Sequence, residues 1–191
     1  MKLSVVIPNY NGRDLLAANL KKVIAESKGA EIIVVDDASE DDSILFIQKN
    51  FPRIKLIAKE KNSGFSSSVN LAVRKACGDL IVLLNSDVYP KKNYLLPLLP
   101  YFDDKNVFAV GMLQESYENG RIVFRGRGLG KFKRGFMTHR YGEIDKKDTL
   151  WVSGGAGIFR KLIWDKLGGM RTIYDPFYWE DIDLSWRAKE H

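Results

Sequence analysis

The chain has 191 residues, 45% of them hydrophobic, a net charge of +6, and a single cysteine. That length and apolar content suit one ordinary domain with a sizeable core. No apolar run approaches the ~20 residues of a membrane span. One cysteine, Cys77, excludes an internal disulfide and a cysteine-rich zinc site and fits a reducing cytoplasm; beside Ala76 near a helix end it reads as a small core residue.

The first apolar segment, Leu3–Ile7, superficially resembles a secretory leader, but Pro8 and Asn9 cut it short and no small-residue cleavage site follows, so it reads as a strand. The following turn, Pro8-Asn9-Tyr10-Asn11-Gly12-Arg13, lacks both the Gly-x-Gly-x-x-Gly of dinucleotide binders and the Gly-x-x-x-x-Gly-Lys of phosphate-cradling loops. Tyr10 could lie against a base or be a packed aromatic of the rim. Strand-helix units then repeat: a helix over Leu15–Ser27, a strand over Ile32–Val35, a helix over Asp42–Asn50, a strand over Lys55–Ala58, and a helix over Ser66–Ala76. Ser39 and Asp42 resemble a capping box, Gly78 is placed as a C′ glycine, and Pro52 and Pro90 mark boundaries. The rhythm predicts a mostly parallel sheet with helices on both faces.

Asp36 and Asp37 end the second strand, where a carboxylate can accept hydrogen bonds from a base or a ribose, or simply complement the next helix start. Asn62-Ser63-Gly64-Phe65 opens the third helix; its free N–H groups suit an anion or a Ser66 cap. The run Leu80-Ile81-Val82-Leu83-Leu84 has the composition of a strand buried on both faces, and it stops at Asn85-Ser86-Asp87. A carboxylate there stands where open α/β sheets bind ligands, so Asp87 reads as the natural ligand for Mg²⁺ or Mn²⁺ beside a diphosphate, or else as a turn residue.

A helix is predicted over Lys91–Phe102 and a strand over Asn106–Met112. The stretch Glu118–Gly142 has no helical period. Its part from Arg121 to Arg140 is basic without one acid, which suits an anionic membrane surface, phosphates, or a solvated loop; no nucleic-acid-binding module is recognisable. His139, inside it, reads as solvent-exposed. Leu150–Ser153 reads as a short strand running into Gly154-Gly155-Ala156-Gly157, and helices are predicted over Ile158–Leu167 and Ile182–Lys189. Glu180 and Asp181 open the last helix among aromatics, where desolvation would raise a carboxyl pKa toward that of a general base; Trp179 offers a flat face to a sugar ring. Asp183 and Arg187 are spaced to pair as structure.

Taken in order, the segments Val5-Val6-Ile7-Pro8-Asn9-Tyr10-Asn11, Val34-Val35-Asp36-Asp37-Ala38-Ser39, Asn62-Ser63-Gly64-Phe65 with Asn70, Gly78-Asp79 through Asn85-Ser86-Asp87, Gly154-Gly155-Ala156-Gly157-Ile158-Phe159-Arg160 and Trp179-Glu180-Asp181-Ile182-Asp183-Leu184 resemble family 2 glycosyltransferases, inverting enzymes of the GT-A fold. The likeness is greatest to bacterial and archaeal enzymes that build surface polysaccharides, rhamnosyltransferase-like members included.

The resemblance implies a Rossmann-like α/β sheet with a nucleotide-binding half (1–104) and an irregular acceptor-binding half (105–191) of one GT-A domain. Pro8, Tyr10, Asp36, Asp37, Asn62, Gly64, Asn85 and Ser86 would hold a uridine or deoxythymidine diphosphate sugar. Asp87 would hold Mg²⁺ or Mn²⁺, standing in an Asp-x-Asp motif whose first member is Asn85. Asp181, with Glu180 beside it, would be the base, and Gly154, Gly155, Ala156 and Trp179 would line a glycan or lipid-linked acceptor. The expected setting is the cytoplasm, with a peripheral membrane contact through Arg121–Arg140. Family members continue to a further strand and a histidine, so the chain is expected to be C-terminally truncated and weak in donor binding and turnover. The alternatives are a degenerate nucleotide-sugar-binding module and a nucleotidyltransferase; the latter should carry a Gly-rich loop with a basic residue after the first strand, for which Gly12-Arg13 is a poor substitute.

Overall fold

A computed structural model describes residues 1–191. Its centre is a sheet of β1 (Leu3–Asn9), β2 (Glu31–Asp36), β3 (Lys55–Ala58), β4 (Leu80–Leu84), β5 (Ala109–Gly111) and β10 (Ala156–Arg160), in the spatial order β3-β2-β1-β4-β10-β5. β3, β2, β1 and β4 are parallel, and β10 runs antiparallel between β4 and β5. The chain steps from β1 to β2 to β3 on one side and then returns to place β4 on the other side of β1. The switch point between β1 and β4 is where a parallel sheet opens a crevice outside its carboxyl ends. Because β10 is antiparallel, it is its N-terminal end that reaches the same rim, with Ala156 opposite Leu84.

The apolar run of β4 is wholly buried because both of its faces are covered. Leu80, Val82 and Leu84 join Val5, Ile7 and Val34 under α1 (Arg13–Glu26) and α2 (Ser43–Asn50), through Leu16, Leu20, Val23 and Ile47. Ile81 and Leu83 join Val6, Ile33, Val35 and Phe159 under α3 (Phe65–Lys75), α4 (Lys161–Lys166) and α5 (Glu180–Glu190). The period of two along the strand thus divides one sheet between two cores. Val69, Ala72 and Val73 form the α3 stripe at helical spacing.

Several sequence expectations are corrected. No α-helix forms over Lys91–Phe102: the chain makes turns and a short 3₁₀ segment, Leu99–Asp103. Pro97 and Pro100 remove two amide donors there, and each ring would clash with the carbonyl four residues back. Of Ile158–Leu167, the first part is strand β10 and only Lys161–Lys166 is helical; the central position of β10 in the sheet overrides helix propensity. The strand expected over Leu150–Ser153 shrinks to one bridge, Gly128 to Trp151. Cys77 is exposed, not core. Ser39 does not cap α2, which starts at Ser43; its hydroxyl instead turns to Asp36 and the Asn11 amide.

The irregular stretch proves to be two hairpins. β6 (Gln114–Glu118) pairs with β7 (Arg121–Arg125), and β8 (Gly128–Lys133) with β9 (Phe136–Tyr141). Their two-residue loops, Asn119-Gly120 and Arg134-Gly135, have positive φ at both positions, as the twist of tight hairpins demands.

Gly78 also has a different role. α3 ends at Lys75, and a Cβ on Gly78 would lie 2.5 Å from the Ser4 amide nitrogen and 2.8 Å from the Leu3 carbonyl carbon. Glycine is needed there for the approach to β1, not for a helix stop. Gly78→Ala should therefore push β1 off its neighbour and cost about 1–3 kcal/mol of stability, measured by urea unfolding.

Candidate active site at the carboxyl rim of the sheet

Asn9, at the end of β1, is buried. Its Nδ2 donates to Asp36 Oδ2 at 2.8 Å and to Ser39 Oγ at 3.3 Å, while its Oδ1 has no partner. Asp36 has no exposed surface, and its carboxylate also accepts from the Ser39 amide and hydroxyl, each at 2.8 Å. Asp37 pairs with Lys59 and accepts from the Ser63 and Gly64 amides at 3.0 and 2.8 Å. Both rim acids therefore organise loops: Asp36 the turn after β2, Asp37 the turn that opens α3. Pro8 stays in the ladder opposite Val35, and Tyr10 projects past the strand end, 51% exposed.

The start of α3 is closed by a residue that sequence reasoning missed. Asp175 accepts from the Ser66 amide at 2.8 Å and the Ser67 hydroxyl at 2.7 Å; Ser66 caps nothing, its hydroxyl being buried without a partner. Gly64, at φ +90°, lets this happen, because a Cβ there would sit 2.6 Å from Asp175 Cγ. Asn62 is exposed and accepts from the Gly64 amide at 3.2 Å. No sequence signal joins Asp175 to a helix 109 positions earlier.

Beyond β4, Asn85 and Asp87 are exposed, and Asp87 has no hydrogen bond or ion pair with the protein. The Ser86 carbonyl is held by Asn19 Nδ2 at 2.9 Å. The Asn85 amide donates to the Gly155 carbonyl at 2.9 Å, and a Cβ on Gly155 would lie 2.6 Å from Asn85 Nδ2. One residue earlier, the Gly154 amide donates to Asp181 Oδ2 at 3.2 Å. The glycine lead into β10, with buried Ala156 after it, thus ties the end of β4 to the start of α5.

Trp179 precedes α5 at φ +88°, a region costly for a non-glycine residue. Its ring meets His139 of β9 edge to face, with centroids 4.8 Å apart, and His139 also faces Trp151 at 6.1 Å. His139 is nevertheless exposed, as expected. Asp183 pairs with Arg187, also as expected, and Arg171 joins them.

Burial raises the Asp181 carboxyl above its usual range, against the pull of the Gly154 and Ile182 amides and the His139 ring. Burial likewise pushes Glu180 up from 4.5 to about 7, aided by the nearby Asp181 and Asp175 carboxylates; its Oε2 is buried without a partner. An acid desolvated in this way can hold or release a proton near neutral pH.

The chain offers no cluster of three His, Cys, Asp or Glu side chains for a cation. What it offers is the unengaged Asp87 carboxylate at the crevice. That fits a hard divalent ion that takes one or two protein oxygens and draws the rest from phosphates and water. A cleft of about 570 Å³ lies elsewhere, between β5 and α5, and includes none of the rim acids.

The family model described as glycosyl transferase family 2 matches residues 4–167. The chain is 30% identical over 189 residues to the GalNAc(5)-diNAcBac-PP-undecaprenol beta-1,3-glucosyltransferase of Campylobacter jejuni, covering 96% of this chain and 58% of that protein. Among solved structures it resembles the mannosyltransferase PcManGT from Pyrobaculum calidifontis in complex with GDP-Man and Mn²⁺, with TM-score 0.72, 18% identity, and coverage of 98% of this chain and 51% of that one. GalNAc-T7 with UDP, GalNAc and Mn²⁺ superposes with TM-score 0.79 at 19% identity, with coverage of 98% and 40%. These likenesses establish the GT-A fold. The chain spans only part of the curated relatives it matches, from 21% to 58% of their length.

Glu180 gives a pH test. Its folded pKa lies above its unfolded value, so the native state holds the extra proton between 4.5 and about 7. The native state is therefore favoured at the acidic end of that window and loses this contribution as pH rises through it. In urea unfolding at about pH 5 and about pH 8, Glu180→Gln should gain stability relative to wild type at the higher pH and not at the lower.

Proposed function

The chain belongs to glycosyl transferase family 2, and we propose that it moves a sugar, with inversion, from a uridine or deoxythymidine diphosphate donor to a glycan or lipid-linked acceptor. The observation that carries this reading is the chain of contacts from Asn85 through Gly155 and Gly154 to Asp181, which sets an unengaged carboxylate and a desolvated one at the same rim.

On this reading residues 1–104 take the nucleotide and 105–191 the acceptor. Tyr10 and Pro8 flank the base, and Asp36, Asp37, Asn62 and Gly64 shape the floor beneath it more than they touch it, given how fully their polar groups are used within the protein. Asn62 is the exception, being exposed with its Nδ2 unengaged, and can reach the nucleotide directly. Asn85 and Ser86 adjoin the diphosphate. Asp87 would hold Mg²⁺ or Mn²⁺, which when bound offsets charge on the diphosphate.

Asp181 takes the proton of an acceptor hydroxyl whose sugar ring lies against Trp179 and the Gly154–Ala156 turn. The hydroxyl oxygen forms its bond to the anomeric carbon as the bond to the diphosphate oxygen breaks. The diphosphate leaves with the electron pair and the proton stays on Asp181. Two amides hold Asp181 in place, so it enters the reaction already oriented. Glu180, with its pKa raised to about 7, carries less negative charge beside the base near neutral pH than an ordinary carboxylate would. A cytoplasmic setting belongs to the same reading, and the exposed free thiol of Cys77 is at home in a reducing compartment.

Calorimetry with UDP and dTDP, with and without Mn²⁺, tests the donor site. Binding should depend on Mn²⁺ and fall at least about tenfold in Asp87→Ala; a wild-type chain that binds neither nucleotide would refute the reading. Asp181→Asn should leave nucleotide affinity unchanged and lower transfer from UDP-sugars to a polyprenyl-diphosphate-linked glycan by about 10²–10⁴-fold. Unchanged transfer in that variant would remove Asp181 as the base.

A further inference from the structure

The β8–β9 hairpin has two chemically different faces. Directly opposed residues of an antiparallel pair share a face, and faces alternate along each strand. The register opposes Gly128 to Tyr141, Gly130 to His139 and Phe132 to Met137, which makes one face. This face turns toward the protein body without being buried on it, since Phe132 and Tyr141 keep 62% and 54% of their surface exposed. Tyr141 and His139 meet Trp151, His139 meets Trp179, and Phe132 approaches Trp186 at 6.3 Å. Gly128 and Gly130 leave room for the rings and side chains beneath: a Cβ would lie 2.3 Å from Trp151 and 2.2 Å from Leu150.

The opposite face carries Leu129, Lys131 and Lys133 against Arg140, Thr138 and Phe136. Lys131, Lys133, Arg140 and Phe136 are exposed, Phe136 to 74%, and none of the three cations makes an ion pair. The turn between the strands adds exposed Arg134. The nearest acid in sequence, Glu143, is shared by Lys146 and Arg127. Two other cations of the basic stretch are already spent: Arg125 makes a two-pronged bond to Glu118, and Arg127 is buried against Asp148. Of the cations of the stretch left without an ion pair, Lys131, Lys133, Arg134 and Arg140 lie on the outer face and turn of this hairpin, beside a protruding phenyl ring, and only Arg121, exposed at the start of β7, lies on the other.

We infer that this outer face docks the protein on an anionic lipid bilayer, with Lys131, Lys133, Arg134 and Arg140 at the headgroup phosphates and Phe136 inserted at the interface. Unpaired cations around an exposed aromatic suit a bilayer, which offers negative charge and an apolar layer a few ångströms below it. A single-stranded nucleic acid would use the same charges and could stack a base on Phe136, but this face carries one ring only, not the succession of stacking platforms that such binders use. The docking rests on the transferase reading for its purpose: the inner face of the same hairpin carries His139 onto Trp179, so a docked hairpin would hold the acceptor side of the rim at the membrane, where a lipid-linked acceptor resides.

The test is co-sedimentation of the full chain with vesicles of phosphatidylcholine alone and of phosphatidylcholine with phosphatidylglycerol, at low and raised salt. Binding should require phosphatidylglycerol and weaken with salt. Lys131→Gln with Lys133→Gln should lower it by about 25-fold, near fivefold per charge. Phe136→Ala should lower it about tenfold, leaving the salt dependence intact. These side chains are exposed, so thermal unfolding of each variant should match wild type. Absence of binding, equal binding to neutral vesicles, variants that bind like wild type, or displacement from vesicles by RNA that Phe136→Ala does not affect would each overturn the proposal. Vesicle binding by a chain that fails to bind UDP or dTDP would remove the transferase reading and leave the surface standing. Nucleotide binding without vesicle binding would do the reverse.

Discussion

The placement of the rim depends on β10 entering the sheet antiparallel to β4. A parallel strand would have delivered its carboxyl end to the rim and sent the residues that precede it to the opposite edge. Running the other way, β10 brings its amino end beside Asn85, and the Asn85 amide closes onto the Gly155 carbonyl. Everything attached to the glycine lead follows. Gly154 reaches Asp181, and α5 starts at the rim, where Trp179 before it meets His139 of the β8–β9 hairpin. Gly155 lets the Asn85 side chain lie against the turn, since a Cβ there would displace the Asn85 amide group.

The acids of the rim divide into two groups with different physics. Asp36, Asp37 and Asp175 are consumed by amides, hydroxyls and one lysine, so their charge is offset within the protein. Each replaces the water that loop backbone would otherwise need, and each joins segments far apart in the chain. Glu180 and Asp181 are desolvated with less in return. Asp181 has two amide donors and Glu180 has an oxygen with none. The first group builds the rim; the second keeps proton affinity near the range where chemistry is useful.

Legibility in the sequence followed the range of the interaction. The β1–β4 units, their order and the burial of Leu80–Leu84 come from local apolar patterning, and there the reading and the structure agree. Where the second half was read by the same patterning, it went astray. Pro97 and Pro100 were visible and should have dissolved the fourth helix. Asn119-Gly120 is the strongest short hairpin signal a sequence can carry, and a search for helical period does not detect it. The fate of Ile158–Phe159 was not local at all: only the vacancy between β4 and β5 makes that segment a strand. Asp175, His139 and Lys59 were invisible for the same reason, since their partners lie on other elements. Composition gave the basic stretch its charge but not its division into spent and free cations, which depends on strand register.

Three costs in this structure lie where the proposed chemistry is, while others, such as the partnerless Ser43 hydroxyl at the start of α2, lie away from it. Trp179 sits in left-handed backbone, Glu180 buries an unpaired oxygen, and Asn9 Oδ1 is orphaned at the end of β1. Elsewhere the sheet satisfies its polar groups and interdigitates its apolar ones. A chain selected for stability alone would place glycine or asparagine at position 179 and an apolar side chain at 180. Retaining an aromatic and a carboxyl there is intelligible if the aromatic must face a ligand and the carboxyl must modulate its neighbour. His139 sharpens this: its edge-to-face contact holds the indole in place from outside α5, so the hairpin supports a conformation that the local backbone disfavours. The rim is thus braced from three directions, by β10, by the Asp175 loop and by the hairpin. The first and third braces end within two residues of Asp181, and the second closes the start of α3.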